Sequence, residues 1–183
     1  LWYVQERGFE RAEIAQITGW IGITAGIAGN LFGGIGGDWF LRKTGLGRPM
    51  FLFIIMLVLA PINLAYRLVD PSSFVFWAGV FTGFFQLGCF YGPTFATVQE
   101  LVPSQIRATV VAFYLLLLNM VGVAIGVSLA GVYIDYLLSI EATEPYTQAL
   151  LWFTVISFSA IPLFFLAGRR YDKDKQRLMD STG

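Results

Sequence analysis

The chain has 183 residues, of which 56% are hydrophobic and only 13% charged, about half the charged share of an ordinary soluble domain. Twelve Lys/Arg balance twelve Asp/Glu, so no basic excess points to a nucleic-acid partner. Histidine is absent and Cys89 is the one cysteine, which excludes His-ligated metal sites, an imidazole proton relay and an internal disulfide.

The opening Leu1-Trp2-Tyr3-Val4 reads as the last turn of a helix with interfacial aromatics. The expectation is a fragment: residues 1–4 are the stub of a helix cut near its outer end, with more chain N-terminal to it. Five stretches without a charged side chain follow, 14–37, 49–66, 71–99, 108–134 and 145–168. Each has about 18 residues or more, enough for a helix to cross a hydrocarbon core of roughly 30 Å. The expected partner is therefore the lipid bilayer and the expected fold an all-α polytopic membrane bundle (1–168), followed by a tail, 169–183.

The first span carries eight glycines, including the small-xxx-small series Gly22/Gly26 and Gly29/Gly33/Gly37, with Asn30 on the same stripe. The second span (Met50 to Tyr66) has no glycine and one proline, Pro61. The third pairs Gly79/Gly83 and Gly88/Gly92, carries Gln86 on that stripe, and contains Pro93 directly after Gly92. The fourth has Gly122/Gly126 and Ala130, with Asn119 on the stripe. The fifth is glycine-free from Tyr146 to Ala167 and contains Pro162. Small residues let helix backbones approach closely, which drives association where lipid gives little hydrophobic advantage. Spans one, three and four are thus expected inside the bundle, and spans two and five against lipid. Gln86, Asn119 and Asn30 either line a water-filled path or hydrogen-bond between helices. Tyr91 and Tyr114 are weaker lining candidates, and the Gly92–Pro93 pair is either a functional bend or a static kink.

Charges between the spans set an orientation. The connections 38–48 and 100–107 and the tail hold nine Lys/Arg, against three in 1–13, 67–70 and 135–144. Rich and poor segments alternate, so the rich set and the C-terminus are expected to be cytoplasmic. No Asp, Glu, Lys or Arg falls inside a span, so this part of the protein offers no obvious proton carrier. The charges at span ends are Asp38, Glu100, Arg107 and Asp135. Asp38 and Arg107 are expected either to join an inward-side network or to sit solvated at the interface. A carboxylate at the C-terminal end of a helix is disfavoured by the dipole, so Asp38 is expected to have a cationic or donor partner from the chain N-terminal to this one. No nucleophile–base pair or cofactor pattern is present, so no enzyme is expected.

An internal repeat is visible. Gly34-x-x-x-Asp38 and Gly131-x-x-x-Asp135 close the first and fourth spans, and the next span carries a lone proline each time. The copies fall on opposite sides of the membrane, as an inverted three-helix repeat requires.

Gly34-x-x-x-Asp38 with Arg42, Lys43, Gly45 and Arg48 resembles the cytoplasmic loop motif of the major facilitator superfamily, with Trp39 in place of the basic residue after the aspartate. Gln99-Glu100-Leu-Val-Pro103 through Arg107-Ala is similar to that family's loop between helices ten and eleven. The resemblance implies the C-terminal six-helix half of a major facilitator fold with its first helix truncated. The five spans become helices eight to twelve, and the missing N-terminal half of the same protein becomes a partner. It implies a secondary transporter that moves a small-molecule substrate, an organic or lipid-like solute, by alternating access. The loop and the Leu-rich fourth span resemble bacterial spinster-type proteins, which implies a bacterial inner membrane. The alternative is a transporter-like sensor or assembly subunit that moves nothing. Candidate cavity residues are Gln86, Asn119, Asn30 and Tyr91. Gly34, Asp38, Arg42, Arg48, Glu100 and Arg107 form the gating and loop motif, and Gly92 and Pro93 the bend.

Overall fold

The computed structural model describes the backbone of residues 1–182 and the side chains of residues 1–180; the last residue of the expected tail, Gly183, lies outside the described residues. The described chain is helical and contains no strand. A short α1 (Trp2–Gln5) is followed by α2 (Arg11–Thr44), α3 (Arg48–Ala65) and α4 (Phe74–Glu100). The fourth span is one run, Arg107–Ser139, made of α5 (Arg107–Leu117), a π-helical segment (Leu118–Ile125) and α6 (Gly126–Ser139). The last two helices are α7 (Pro145–Ser157) and α8 (Ala160–Thr182).

Local chemistry sets these boundaries. Gly45 closes α2 at φ 72°, donating its N–H to Leu41 O, a left-handed cap in which a Cβ would be strained. Pro49 and Pro145 lie in the first turns of α3 and α7, where the missing N–H has no intrahelical partner to lose. Ser73 caps α4 by accepting a hydrogen bond from Val75 N at 3.2 Å. The fifth span, expected as one helix over 145–168, is interrupted at Phe158–Ser159. Pro162 therefore falls in the first turn of α8 rather than in a helix interior, where it would break a hydrogen bond. The segment expected as a tail continues α8 without a break.

Four helical runs are long and apolar enough to cross a membrane: Arg48–Ala65, Phe74–Glu100, Arg107–Ser139 and, across the break between α7 and α8, Pro145–Asp180. The first expected span is not among them. It forms the longest α-helix of the described chain, 34 residues, but its eight glycines replace side chains that would make it strongly apolar.

The closest packing is between α2 and α4. A Cβ built on Gly33 would stand 2.5 Å from Cys89 O and 2.7 Å from its Cα, and one on Gly88 would stand 2.6 Å from Gly26 O. A Cβ on Gly29 would meet the Phe85 carbonyl more closely still, and one on Gly37 would stand 3.2 Å from the Pro93 ring. Pro93 and Cys89 are fully buried in this seam. Elsewhere the glycine content of a helix does not follow its packing on this chain. The second span, expected to face lipid, packs on both α4 and α8 and buries Arg48, Pro49, Met50, Phe51 and Leu52. The fourth span is mostly exposed on this chain, with Leu137 its one buried residue. A Cβ on Gly126 or Gly131 would meet nothing within 4 Å, and one on Gly122 only its own helix's Leu118. A small-residue stripe permits close approach but does not supply the complementary surface, which α2 and α4 give each other.

Candidate functional site: a charged clamp, an amide-lined cavity and an opposite-end latch

Three helix ends meet at one end of the bundle. Arg48, the first residue of α3, is 9% exposed. Its Nε donates to Asp38 Oδ1 at 2.8 Å and its Nη1 to Glu100 Oε2 at 2.7 Å. Asp38 lies one and a half turns before the end of α2, and Glu100 is the last residue of α4. A fourth element closes the group: the Tyr171 hydroxyl, from α8, donates to the same Glu100 Oε2. Gly47 makes room for it, since a Cβ there would stand 2.5 Å from Tyr171 Cβ. One cation thus neutralises two carboxylates that helix dipoles disfavour, while a cation at the start of α3 would itself be disfavoured without them. The fork geometry of guanidinium suits this role and an ammonium would not replace it.

Asp38 therefore finds its partner within this chain, which corrects the expectation of one from the chain N-terminal to it. Arg107, expected in the same network, is exposed and its guanidinium approaches only Val102 O, at 3.5 Å. Arg42 and Asp135 are exposed, so the two G-x-x-x-D copies differ: one aspartate is clamped and the other faces outward. Gly34 serves the seam, lying 3.3 Å from where a Gly92 Cβ would be. Gly92 and Pro93 lie within the continuous helix α4.

The second feature is a cavity of about 780 Å³ between α3, α4, the π-helical segment and the α7–α8 junction. Its walls are mainly apolar, with Leu52, Ile55, Met56, Leu87, Phe90 and Phe164 among them. Asn63 and Gln86 form a polar strip on it. Asn63 Nδ2 donates to Gln86 Oε1 at 2.6 Å, and Thr82 Oγ1 donates to Asn63 Oδ1 at 3.2 Å. Thr82 and Gln86 are one turn apart, so both point from α4 at the same level of α3. Of the four expected cavity residues, Gln86 lines this space. Asn30 and Asn119 are exposed and donate to carbonyls of their own helices, Gly26 O at 3.0 Å and Leu115 O at 2.8 Å. Tyr91 is exposed and stacks on Phe95. Tyr114 is in edge contact with the same Phe95.

The third feature lies at the opposite end. The Glu6 carboxylate accepts hydrogen bonds from the backbone N–H groups of Tyr146 and Thr147, each at 2.7 Å, and from Thr147 Oγ1 at 2.6 Å. It caps α7 from 140 residues away, with the charge sign that a helix N-terminus prefers. Trp2 Nε1 donates to Thr147 Oγ1 at 2.7 Å, and Arg7 Nη2 to the Arg67 carbonyl at 2.5 Å. Trp2, Tyr66, Phe76 and Val80 form the core beside it. Burial pushes the Tyr3 hydroxyl's pKa up and the Arg67 guanidinium's down from their ordinary values.

Sequence reasoning missed Tyr171, Asn63, Thr82, Glu6, Arg7 and Thr147. Asn63 was legible as the lone amide of the second span, whereas Glu6 and Tyr171 carry no local signal, because their partners are distant in sequence. Comparison with protein-family models, with curated proteins and with solved structures gives no match to this chain.

Proposed function

We propose that the chain is the C-terminal half of a major facilitator secondary transporter, seated in a bacterial inner membrane with α8 ending in the cytoplasm, and that with an N-terminal half it moves a small organic or lipid-like solute by alternating access. The observation that carries this reading is the clamp at Arg48. The loop that bears the family-like motif holds its last basic residue buried between carboxylates of α2 and α4, an arrangement suited to an element that is made in one state and broken in another. A second reading, a sensor that binds but does not carry, draws on the absence of any ionisable side chain inside the expected spans.

The test uses the product of the whole gene in proteoliposomes. A library of small organic anions, cations and amphiphiles is screened for ligands that raise its thermal stability, and each stabilising ligand is then tested for exchange across the vesicle wall. Trans-stimulated exchange that falls with Arg48→Gln is expected. A ligand that binds saturably and is never exchanged overturns transport and establishes the sensor.

A further inference from the structure

Arg67 is half-buried and, unlike Arg48 and Arg7, has no carboxylate partner among the described residues. Arg48 is held by two carboxylates and Arg7 by Glu144, Thr147 and the Arg67 carbonyl. Among the described residues no carboxylate lies within 4 Å of the Arg67 guanidinium, and its buried Nε, like that of Arg7, has no hydrogen-bond partner. Its one recorded side-chain contact of this kind is with the face of Tyr66, at 5.0 Å. A half-buried cation whose Nε is shut off from water and unpaired carries a desolvation cost, and an anion supplied from outside lowers it.

Its position says what kind of anion. Arg67 lines one end of the 780 Å³ cavity and also a second cavity of about 400 Å³ walled by Trp2, Tyr3, Tyr66 and Tyr146. From Tyr66 to Leu52, both on the larger cavity, α3 runs about 21 Å, more than the ~15 Å hydrocarbon depth of one leaflet. A long apolar trough with an unpaired cation at one end, and tyrosine and tryptophan rings at that end, has the polarity of an acidic phospholipid: head at the aromatic interface, chain along the hydrocarbon.

We propose that this trough holds one acyl chain of an anionic phospholipid drawn from the bilayer, with the phosphate of its head group paired to Arg67. The lipid is a resident ligand of the fold rather than the cargo. The inference rests on the chain lying in a bilayer and not on its carrying a solute, so a protein that fails to transport can still bear it out.

The full-length protein, purified in mild detergent, is titrated with phosphatidylglycerol and with phosphatidylcholine of the same chains, with inorganic phosphate as a third arm. Bound lipid is counted by native mass spectrometry, and thermal stability is followed in parallel. Expected is one tightly held phosphatidylglycerol, preferred over phosphatidylcholine by about fivefold for the single cation. Inorganic phosphate should give no stabilisation. Arg67→Gln should erase the preference, and Arg67→Lys should restore most of it. Ile55→Trp, which fills the trough from α3, should lower retention of both lipids while Arg67 is intact. Equal retention of the two lipids, a preference that survives Arg67→Gln, or unaltered lipid binding in Ile55→Trp each overturns the proposal. Stabilisation by phosphate alone at the level of phosphatidylglycerol overturns the acyl-chain assignment. If Arg67→Gln fails to fold, Ile55→Trp and the lipid comparison in the parent protein still decide it.

Discussion

Replacing Arg48 by glutamine removes the one cation of a three-helix junction. Two charge-assisted hydrogen bonds are lost, at 2.8 and 2.7 Å, each worth ~1.5–3 kcal/mol where water is excluded. Water is only partly excluded here. The Arg48 side chain is 11% exposed, but those of Asp38 and Glu100 are 45% and 33% exposed, so both carboxylates recover some hydration when the cation goes. Discounting for this by about half leaves a loss of roughly 1.5–3 kcal/mol. The two single partners should follow their exposure, with Glu100→Gln costing more than Asp38→Asn, since Glu100 is the drier and also accepts from Tyr171. The measurement is reversible unfolding in mixed micelles of mild and denaturing detergent, with a double-mutant cycle between positions 48 and 100. A coupling energy of ~1–2 kcal/mol is expected between contacting charged groups. Arg48→Gln within about 0.5 kcal/mol of the parent, together with a coupling near zero, would refute the clamp as a source of stability.

Gly33→Ala should lower folded yield and unfolding free energy by ~1–3 kcal/mol, as overpacking does, because its Cβ would stand 2.5 Å from Cys89 O. Gly126→Ala, with nothing within 4 Å, should match the parent in the same size-exclusion and unfolding assays, and equal damage at both sites would remove the seam argument. Asn63→Leu takes the donor from Gln86 and the acceptor from Thr82 and should cost ~0.6–1.7 kcal/mol, measured by detergent unfolding; a stabilised variant would show that the strip is not satisfied by its own members. In a background with Cys89 replaced by alanine, cysteines at Lys43, Thr143 and Lys173 can be probed with an impermeant thiol reagent. Labelling of intact cells at position 143 alone is expected from the alternation of basic segments, and outside labelling at 43 would invert the orientation.

The amino-acid sequence by itself determined where the helices run. Charge-free stretches, prolines in first turns and Gly45 after the last turn of α2 are local matters, decided by backbone geometry and desolvation within a few residues. The glycine seam of α2 and α4 was legible because both halves of it, Gly29/Gly33/Gly37 and Gly88/Gly92, carry the same four-residue period. The boundaries that local pattern left open are the break at Phe158–Ser159 and the π-helical segment Leu118–Ile125. Only the tertiary structure decided which helix packs on which. The fourth span has the same kind of stripe as α2, yet in this chain it faces outward, because packing depends on two surfaces and a stripe describes one. The clamp was half visible for the same reason. Asp38 and Glu100 stood out as charges at span ends and Arg48 as a basic residue of the loop motif, but their pairing spans 10 and 52 residues, and that of Glu100 with Tyr171 spans 71. Glu6 over the start of α7 and Arg67 beside an apolar trough carry no mark in the sequence, since a charge acquires its role from the groups that folding brings within 3 Å and from the water that folding takes away.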